Sequence, residues 1–232
     1  MNTIKILSGG AANGLVTAVT ADFTKATGLG IEGDFGAVGG MFDRIVAGEP
    51  VDIIILSQKL IDQLLQRQCI VETGIRPLGK VVTGLAVRNG QSAPDVSRPD
   101  ALKAALLGAD AIYIPDYEKS TAGIHFAGVL RKLGIFETVQ ARLKAFPNGQ
   151  TAMAAMARAT DGQPIGCTQM TEILNTDGVS YVGDLPPGLD LATVYTAAQS
   201  ATSTHGDAVQ TLIDILASPE KAATRRAAGF QP

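Results

Sequence analysis

The chain has 232 residues, of which 46% are hydrophobic and 18% are charged, and its formal net charge is −3. This composition is typical of a globular protein that can bury a sizeable core, and no stretch approaches the roughly 18 uninterrupted apolar residues of a membrane-spanning helix. We expect no nucleic-acid partner, because neutralising phosphates requires a clustered basic surface and the sequence contains no basic run.

The first third of the chain alternates between apolar runs and helical patterns. The pattern predicts strands at 4–7, 31–35 and 51–56, with helices at 12–27, from the turn 36–40 to residue 47, and at 59–68. The run "VDIIIL" is nearly continuous in apolar residues, as expected for a strand that is buried on both faces.

The alternation restarts after residue 80. It predicts strands at 80–89, 111–115 and 164–167, helices at 98–108, 124–134, 149–159 and 168–175, extended segments at 179–189 and 192–199, and final helices at 206–217 and 219–228. The fold class is therefore α/β. If the chain forms two lobes, it crosses between them inside strands near 80–88 and 190–198. Residues 1–82 with 195–232 then form lobe I, and residues 83–194 form lobe II.

Turns of small residues precede three of the predicted helices, at 8–14, 36–40 and 119–123. Such turns present free backbone N–H groups and the positive end of a helix dipole to an anion. The alternative is that their glycines and serines only cap helices and shape tight turns. The candidate ligand contacts from this reasoning are Ser8, Gly9, Gly10, Asn13, Gly39, Ser57, Ser120, Thr121, Gln169 at a helix start and Tyr195 near a strand end.

The chain resembles the molybdate-binding-protein family of type II periplasmic solute-binding proteins over essentially its whole length. The resemblance is carried by "SGGAANG", "DFGAVGGMFDRIVAGEPVDIIILS", "STAGIHFAGVLRKLGI" and "LPPGLDLATVYTAA". It implies a two-lobed fold, in which each lobe is a mostly parallel sheet flanked by helices and the ligand cleft lies between the lobes. It also adds Ala11, Ala37 and Val38 to the ligand contacts, at turn positions where the family typically offers serine hydroxyls.

The phrases "STAGIHF" and "QMTEIL" place the chain closer to a divergent branch, which aconitate isomerase resembles. That resemblance suggests His125, Glu172 and Lys119 as catalytic residues. His125 either moves a proton, as an imidazole can near neutral pH, or packs beside Phe126. Glu172 is either a general base or the partner of a cation, and Lys119 either complements a carboxylate or is solvated.

Two functions remain open. The first is binding of a di- or tricarboxylate, with or without isomerisation by allylic proton transfer. The second is a non-catalytic solute-binding protein for an oxyanion or a carboxylate, which serves the permease of an ABC transporter if the chain is exported. We expect no cofactor and no metal, because two isolated cysteines and two histidines supply no ligand cluster. As written, without a signal peptide, the chain is expected in the cytoplasm, and in the periplasm if a signal was removed.

Overall fold

A computed structural model describes residues 2–160 and 162–232. The chain divides into two compact units, which are Met1–Val81 with Thr193–Pro232 (unit 1) and Val82–Ala192 (unit 2). In the described part of the chain, no helix combines the length and the apolar character needed to cross a membrane.

The strands and helices follow the predicted alternation. The strands are β1 (Thr3–Gly9), β2 (Gly30–Gly36), β3 (Ile53–Ser57), β4 (Arg76–Arg88), β5 (Ile112–Pro115), β6 (Leu143–Phe146), β7 (Ile165–Gln169), β8 (Val179–Asp184) and β9 (Ala192–Gln199). The helices are α1 (Asn13–Thr27), α2 (Val38–Val46), α3 (Gln58–Gln66), α4 (Pro99–Gly108), α5 (Thr121–Lys132), α6 (Phe136–Val139), α7 (Gly149–Ala157), α8 (Met170–Leu174), α9 (Gly206–Ala217) and α10 (Ala222–Ala227).

The sheet of unit 1 has the order β2-β1-β3-β9. Strand β1 pairs in parallel with β2 and β3, and β9 runs antiparallel to β3. Every residue of β3 is buried, as the continuous apolar run predicts. Side chains such as Leu15, Val19 and Phe23 of α1 pack into the same core as the β1 and β3 side chains. The carboxyl ends of the three parallel strands therefore share one edge of the sheet.

The sheet of unit 2 is mixed. Strand β5 pairs in parallel with β6 and β7, while β4 pairs antiparallel with both β7 and β8. The parallel pairs follow the expected βα units, and the antiparallel pairs arise from the long strand β4 and from β8. One apolar cluster includes Leu85, Ile114 and Phe126, and a second includes Tyr113 and Met153. Since side chains alternate along a strand, the two clusters lie on opposite faces of this sheet.

Several predicted boundaries shift in the structure. Helix α5 begins at Thr121 rather than 124, and the strand predicted at 164–167 continues to Gln169 before α8 begins. Of the predicted extended segment 179–189, residues 179–184 form β8. The short elements α6 and β6 were not predicted from the sequence.

Candidate anion-binding site

Unit 1 brings two of the three predicted turns, 8–14 and 36–40, to one edge of its sheet, together with the end of β3 at Ser57. Strands β1, β2 and β3 end at Gly9, Gly36 and Ser57, and Gly9 is paired in register with Gly36. Ser57 lies opposite Tyr195 of β9. The carboxyl-end edge of a parallel sheet is where α/β proteins bind ligands.

Gly9 is the point of closest packing at this edge. A Cβ atom on Gly9 would lie 2.7 Å from Val38 Cγ1 and 2.8 Å from Tyr195 Cε1. Glycine is therefore required at position 9, because these side chains lie too close to its backbone for a Cβ atom. Three predicted contact residues from separate parts of the sequence, Gly9, Val38 and Tyr195, are thus brought together. The Tyr195 ring is 2% exposed and packs edge-on against Phe230, with ring centroids 6.4 Å apart.

The helices at this edge begin without side-chain caps. Ala37 is the N-cap of α2 and Ser57 is the N-cap of α3, and neither side chain accepts a hydrogen bond from its helix. The first backbone N–H groups of each helix have no intrahelical acceptor, so they need another partner. A bound carboxylate or oxyanion supplies such a partner and also interacts favourably with the helix dipole.

The first turn differs from a simple loop. Gly10, Ala11 and Ala12 form a buried single turn of 3₁₀ helix, and α1 begins at Asn13. The Ser8 hydroxyl is buried and donates to Gly9 O at 2.9 Å. Gly39 is the second residue of α2.

Unit 2 has a corresponding edge, formed by the carboxyl ends of β5, β6 and β7. Ser120 is the N-cap of α5, which begins at Thr121. The turn before it is ordered by Asp116, whose Oδ1 accepts from the backbone N of Glu118 at 2.7 Å and of Lys119 at 3.0 Å. Lys119 is exposed.

His125 lies one turn into α5 and is half-buried. Its Nε2 is 2.7 Å from Leu189 O, and Lys132 Nζ donates to Gly188 O at 2.8 Å. Both side chains therefore join α5 to the loop after β8. Since a carbonyl oxygen only accepts hydrogen bonds, Nε2 carries the proton, and Nδ1 is the acceptor nitrogen of the neutral ring.

Glu172 is buried in the same unit and accepts several hydrogen bonds. Thr168 Oγ1 donates to Glu172 Oε2 at 2.5 Å, and the backbone N–H groups of Gly149, Gln150 and Gln169 also donate to the carboxylate. Burial raises the pKa of Glu172, and these hydrogen bonds offset part of that rise. The carboxyl group lies at the N-terminus of α7, where it accepts hydrogen bonds from the first backbone N–H groups of that helix.

Gln169 lies at the start of a helix, as expected from the sequence. It is the last residue of β7 and the N-cap of α8, and its side chain makes no hydrogen bond within the described residues. Thr83 lies opposite it on β4 and was missed by the sequence analysis. The alternation of Thr83 with the buried Leu85 and Val87 was the available signal, since it puts a hydroxyl on the core-facing side of the strand.

Residues 2–160 and 162–232 contain no group of three or more His, Cys, Asp or Glu side chains that could hold a metal ion. Cys69 and Cys167 are free thiols.

The sequence profile of the bacterial extracellular solute-binding protein family matches residues 4–231. The chain belongs to this family. It is 26% identical over 240 residues to an aconitate isomerase from a Pseudomonas species, which covers 100% of this chain and 88% of that protein. It is 24% identical over 216 residues to the molybdate-binding protein ModA of Escherichia coli K12, which covers 91% of this chain and 82% of ModA. The resemblance to the molybdate-binding proteins, and to aconitate isomerase within it, is confirmed.

Two solved structures of this solute-binding class share the fold. The periplasmic molybdate-binding protein of Azotobacter vinelandii superposes with a TM-score of 0.79 at 17% identity and covers 99% of both chains. The sulfate-binding protein SubI of Mycobacterium tuberculosis gives a TM-score of 0.76 at 20% identity and covers 100% of this chain and 87% of SubI. The predicted fold class, that of the type II periplasmic binding proteins, is confirmed.

Proposed function

We propose that this solute-binding protein binds a small di- or tricarboxylate. The observation that carries the proposal is the edge of unit 1, where α2 and α3 begin side by side with no side-chain cap on their first N–H groups. Backbone donors at helix N-termini suit a carboxylate, which accepts several hydrogen bonds and carries negative charge.

The chemistry around Gly9 favours a carboxylate over a tetrahedral oxyanion. Ala37 and Val38 offer no hydroxyl in the second turn, and Val38 presents an apolar surface beside Gly9. A carboxylate is attached to a carbon skeleton that an apolar wall can contact, whereas a tetrahedral oxyanion exposes acceptors in all directions. Similarity over the whole chain to an aconitate isomerase supports the same ligand class.

Isomerisation is the catalytic extension of this proposal. Moving a double bond within a polycarboxylate removes one proton from a CH₂ group and returns one to the far vinyl carbon, so the reaction needs no cofactor. We assign the proton transfer to His125, because Nδ1 of its neutral ring retains a lone pair while Nε2 is held by Leu189 O. Glu172 suits the role of base less well, because its carboxylate already accepts four hydrogen bonds.

A thermal-shift panel of molybdate, sulfate, citrate, cis-aconitate and trans-aconitate tests the binding proposal. Stabilisation by the carboxylates supports it, because a ligand that binds the folded state raises the melting temperature. Stabilisation by molybdate or sulfate alone would instead identify an oxyanion-binding protein that serves a transporter. The carboxylate proposal would then be abandoned.

Proton NMR of each stabilising aconitate tests the catalytic extension. In His125→Gln the side-chain amide can still donate to Leu189 O but has no basic nitrogen, so turnover should fall by more than about 100-fold while binding changes little. Lys132→Met is the matched control, because it removes the other side-chain tie between α5 and the same loop. Full turnover by His125→Gln would exclude this assignment.

A further inference from the structure

Two buried polar side chains face each other on the sheet of unit 2 and have no hydrogen-bond partner in the part of the chain that the structure describes. Thr83 on β4 is 1% exposed and Gln169 on β7 is 3% exposed. Thr83 Oγ1 and both polar atoms of the Gln169 amide make no hydrogen bond within residues 2–160 and 162–232. Buried polar groups in folded proteins are nearly always hydrogen-bonded, so these two side chains call for a specific explanation.

The backbone pairing brings the two side chains close together. Thr83 and Gln169 are directly opposite in the antiparallel pair β4–β7. The Thr83 N–H donates to Leu191 O, and its carbonyl accepts from Leu185 N, so both main-chain groups bond away from β7. This is the non-hydrogen-bonded type of pair, in which opposed side chains on one face approach most closely.

The Thr83–Gln169 pair lies at the end of a row of apolar cross-strand pairs between β4 and β7. The next two pairs on the same face are Leu85 with Cys167 and Val87 with Ile165, and all four side chains are buried in one apolar cluster. Polar atoms appear where β7 reaches its carboxyl end. Helix α5 starts at that same edge, because it follows β5 and β5 is parallel to β7. The unsatisfied atoms therefore lie at the carboxyl-end edge of this sheet, where α/β proteins bind ligands, and not in the middle of its core.

We propose that Thr83 and Gln169 bind a hydroxyl group where the ligand carries one, so that a hydroxylated di- or tricarboxylate binds more tightly than its unsubstituted counterpart. This inference rests on the proposed function and narrows its ligand class. A carboxylate can only accept hydrogen bonds, and it would leave the acceptor Oε1 of Gln169 without a donor. A hydroxyl has one donor and two acceptor lone pairs, so it can donate to Oε1 and accept from both Nε2 and Thr83 Oγ1, which satisfies both side chains together.

Matched pairs of carboxylates that differ by one hydroxyl test the inference. Isothermal titration calorimetry compares citrate with tricarballylate, and malate with succinate. We expect the hydroxylated member of at least one pair to bind about tenfold more tightly, because the other leaves buried polar atoms unpaired. In Thr83→Val and in Gln169→Leu this preference should fall to less than about threefold, since the groups that recognise the hydroxyl are gone.

The stability of the ligand-free variants provides a second readout. Thr83→Val keeps the side-chain shape and removes a hydroxyl that has no hydrogen-bond partner among the described residues, so the melting temperature should stay the same or rise. The matched control is Thr196→Val in unit 1, where the buried Thr196 hydroxyl donates to Gln58 Oε1 at 2.6 Å. That variant should melt lower than the wild type. An equal loss in both variants would overturn the inference, because it would give Thr83 a structural partner.

The calorimetry separates this inference from the proposed function. Equal affinity for both members of each pair, unchanged in Thr83→Val, overturns the hydroxyl assignment and leaves carboxylate binding in place. Binding of sulfate or molybdate without binding of any of the four carboxylates overturns both. A preference for the hydroxylated ligand that is lost in both variants supports the inference.

Discussion

Replacing Gly149 by alanine should destabilise unit 2 markedly, although alanine is the better helix former. Gly149 is the first residue of α7, and a Cβ on it would overlap Thr168 Oγ1 and Glu172 Oε2 and would lie 2.7 Å from Glu172 Cδ. These atoms have little freedom to move, because the Glu172 carboxylate is buried and held by hydrogen bonds from four groups.

The size of the effect can be worked out from opposing contributions. Alanine gains about 0.5–1 kcal/mol over glycine in a helix interior, and less at a first position. Forcing one extra carbon into a packed site costs about 1–3 kcal/mol. Displacing the carboxylate weakens hydrogen bonds to a charged group, each worth about 1.5–3 kcal/mol. We therefore expect a net loss of about 2–4 kcal/mol in the free energy of unfolding, since steric and hydrogen-bond losses outweigh the helix gain.

Urea unfolding followed by circular dichroism measures this loss. The matched control is Gly128→Ala in α5 of the same unit, where a Cβ would have no atom within 4 Å and the residue is exposed. That variant should be unchanged or more stable by up to about 1 kcal/mol. If Gly149→Ala were as stable as Gly128→Ala, the reasoning that Glu172 is held fixed against the start of α7 would be refuted.

Three further predictions concern charge and capping. Burial raises the pKa of Glu172 in the folded state, so the unfolded chain releases this proton first, and the free energy of unfolding falls as the pH rises from the usual carboxyl range towards the folded pKa. Glu172→Gln should flatten that fall when urea unfolding is measured at a series of pH values. Parallel stability curves for the variant and the wild type would contradict this prediction. Asn148→Ala should cost about 1 kcal/mol by removing the α7 cap, while Asn148→Asp should retain it, as thermal unfolding will show. Arg44 pairs with Asp34 and Glu49 at a partly exposed site, so Arg44→Met should cost less than about 1 kcal/mol, and a loss that persisted in about 1 M NaCl would argue against an electrostatic origin.

The strand-to-helix turns could be predicted because their signals are local. In unit 1 strand β3 is apolar from Ile53 to Leu56, so consecutive residues are enough to predict its burial. The small residues around Gly9 and Ala37 mark the points where a strand stops and a helix starts. These features depend on neighbours within a few positions of the chain, which is the range over which sequence patterns are reliable.

The partners of the polar side chains could not be predicted, because they depend on long-range pairing. Thr83 meets Gln169 only through the register of β4 with β7, and no local pattern specifies that register. The hydrogen bond from His125 to Leu189 O likewise joins α5 to a loop far along the chain. Elements α6 and β6 were missed because each has only four residues and neither is a continuous apolar run of the kind that marks the equally short β5.

Gln169 and Glu172 are three positions apart and both buried, yet their hydrogen bonding suggests different roles. The Glu172 carboxylate accepts from Thr168 and from three backbone N–H groups, so its contacts within the chain account for its burial. The Gln169 amide has no protein partner among the described residues, so no hydrogen bond within them offsets the free-energy cost of burying it. Stability therefore explains Glu172 without a ligand. Gln169 is explained by a bound polar group, which is why binding should respond to Gln169→Leu and folding should respond to changes around Glu172.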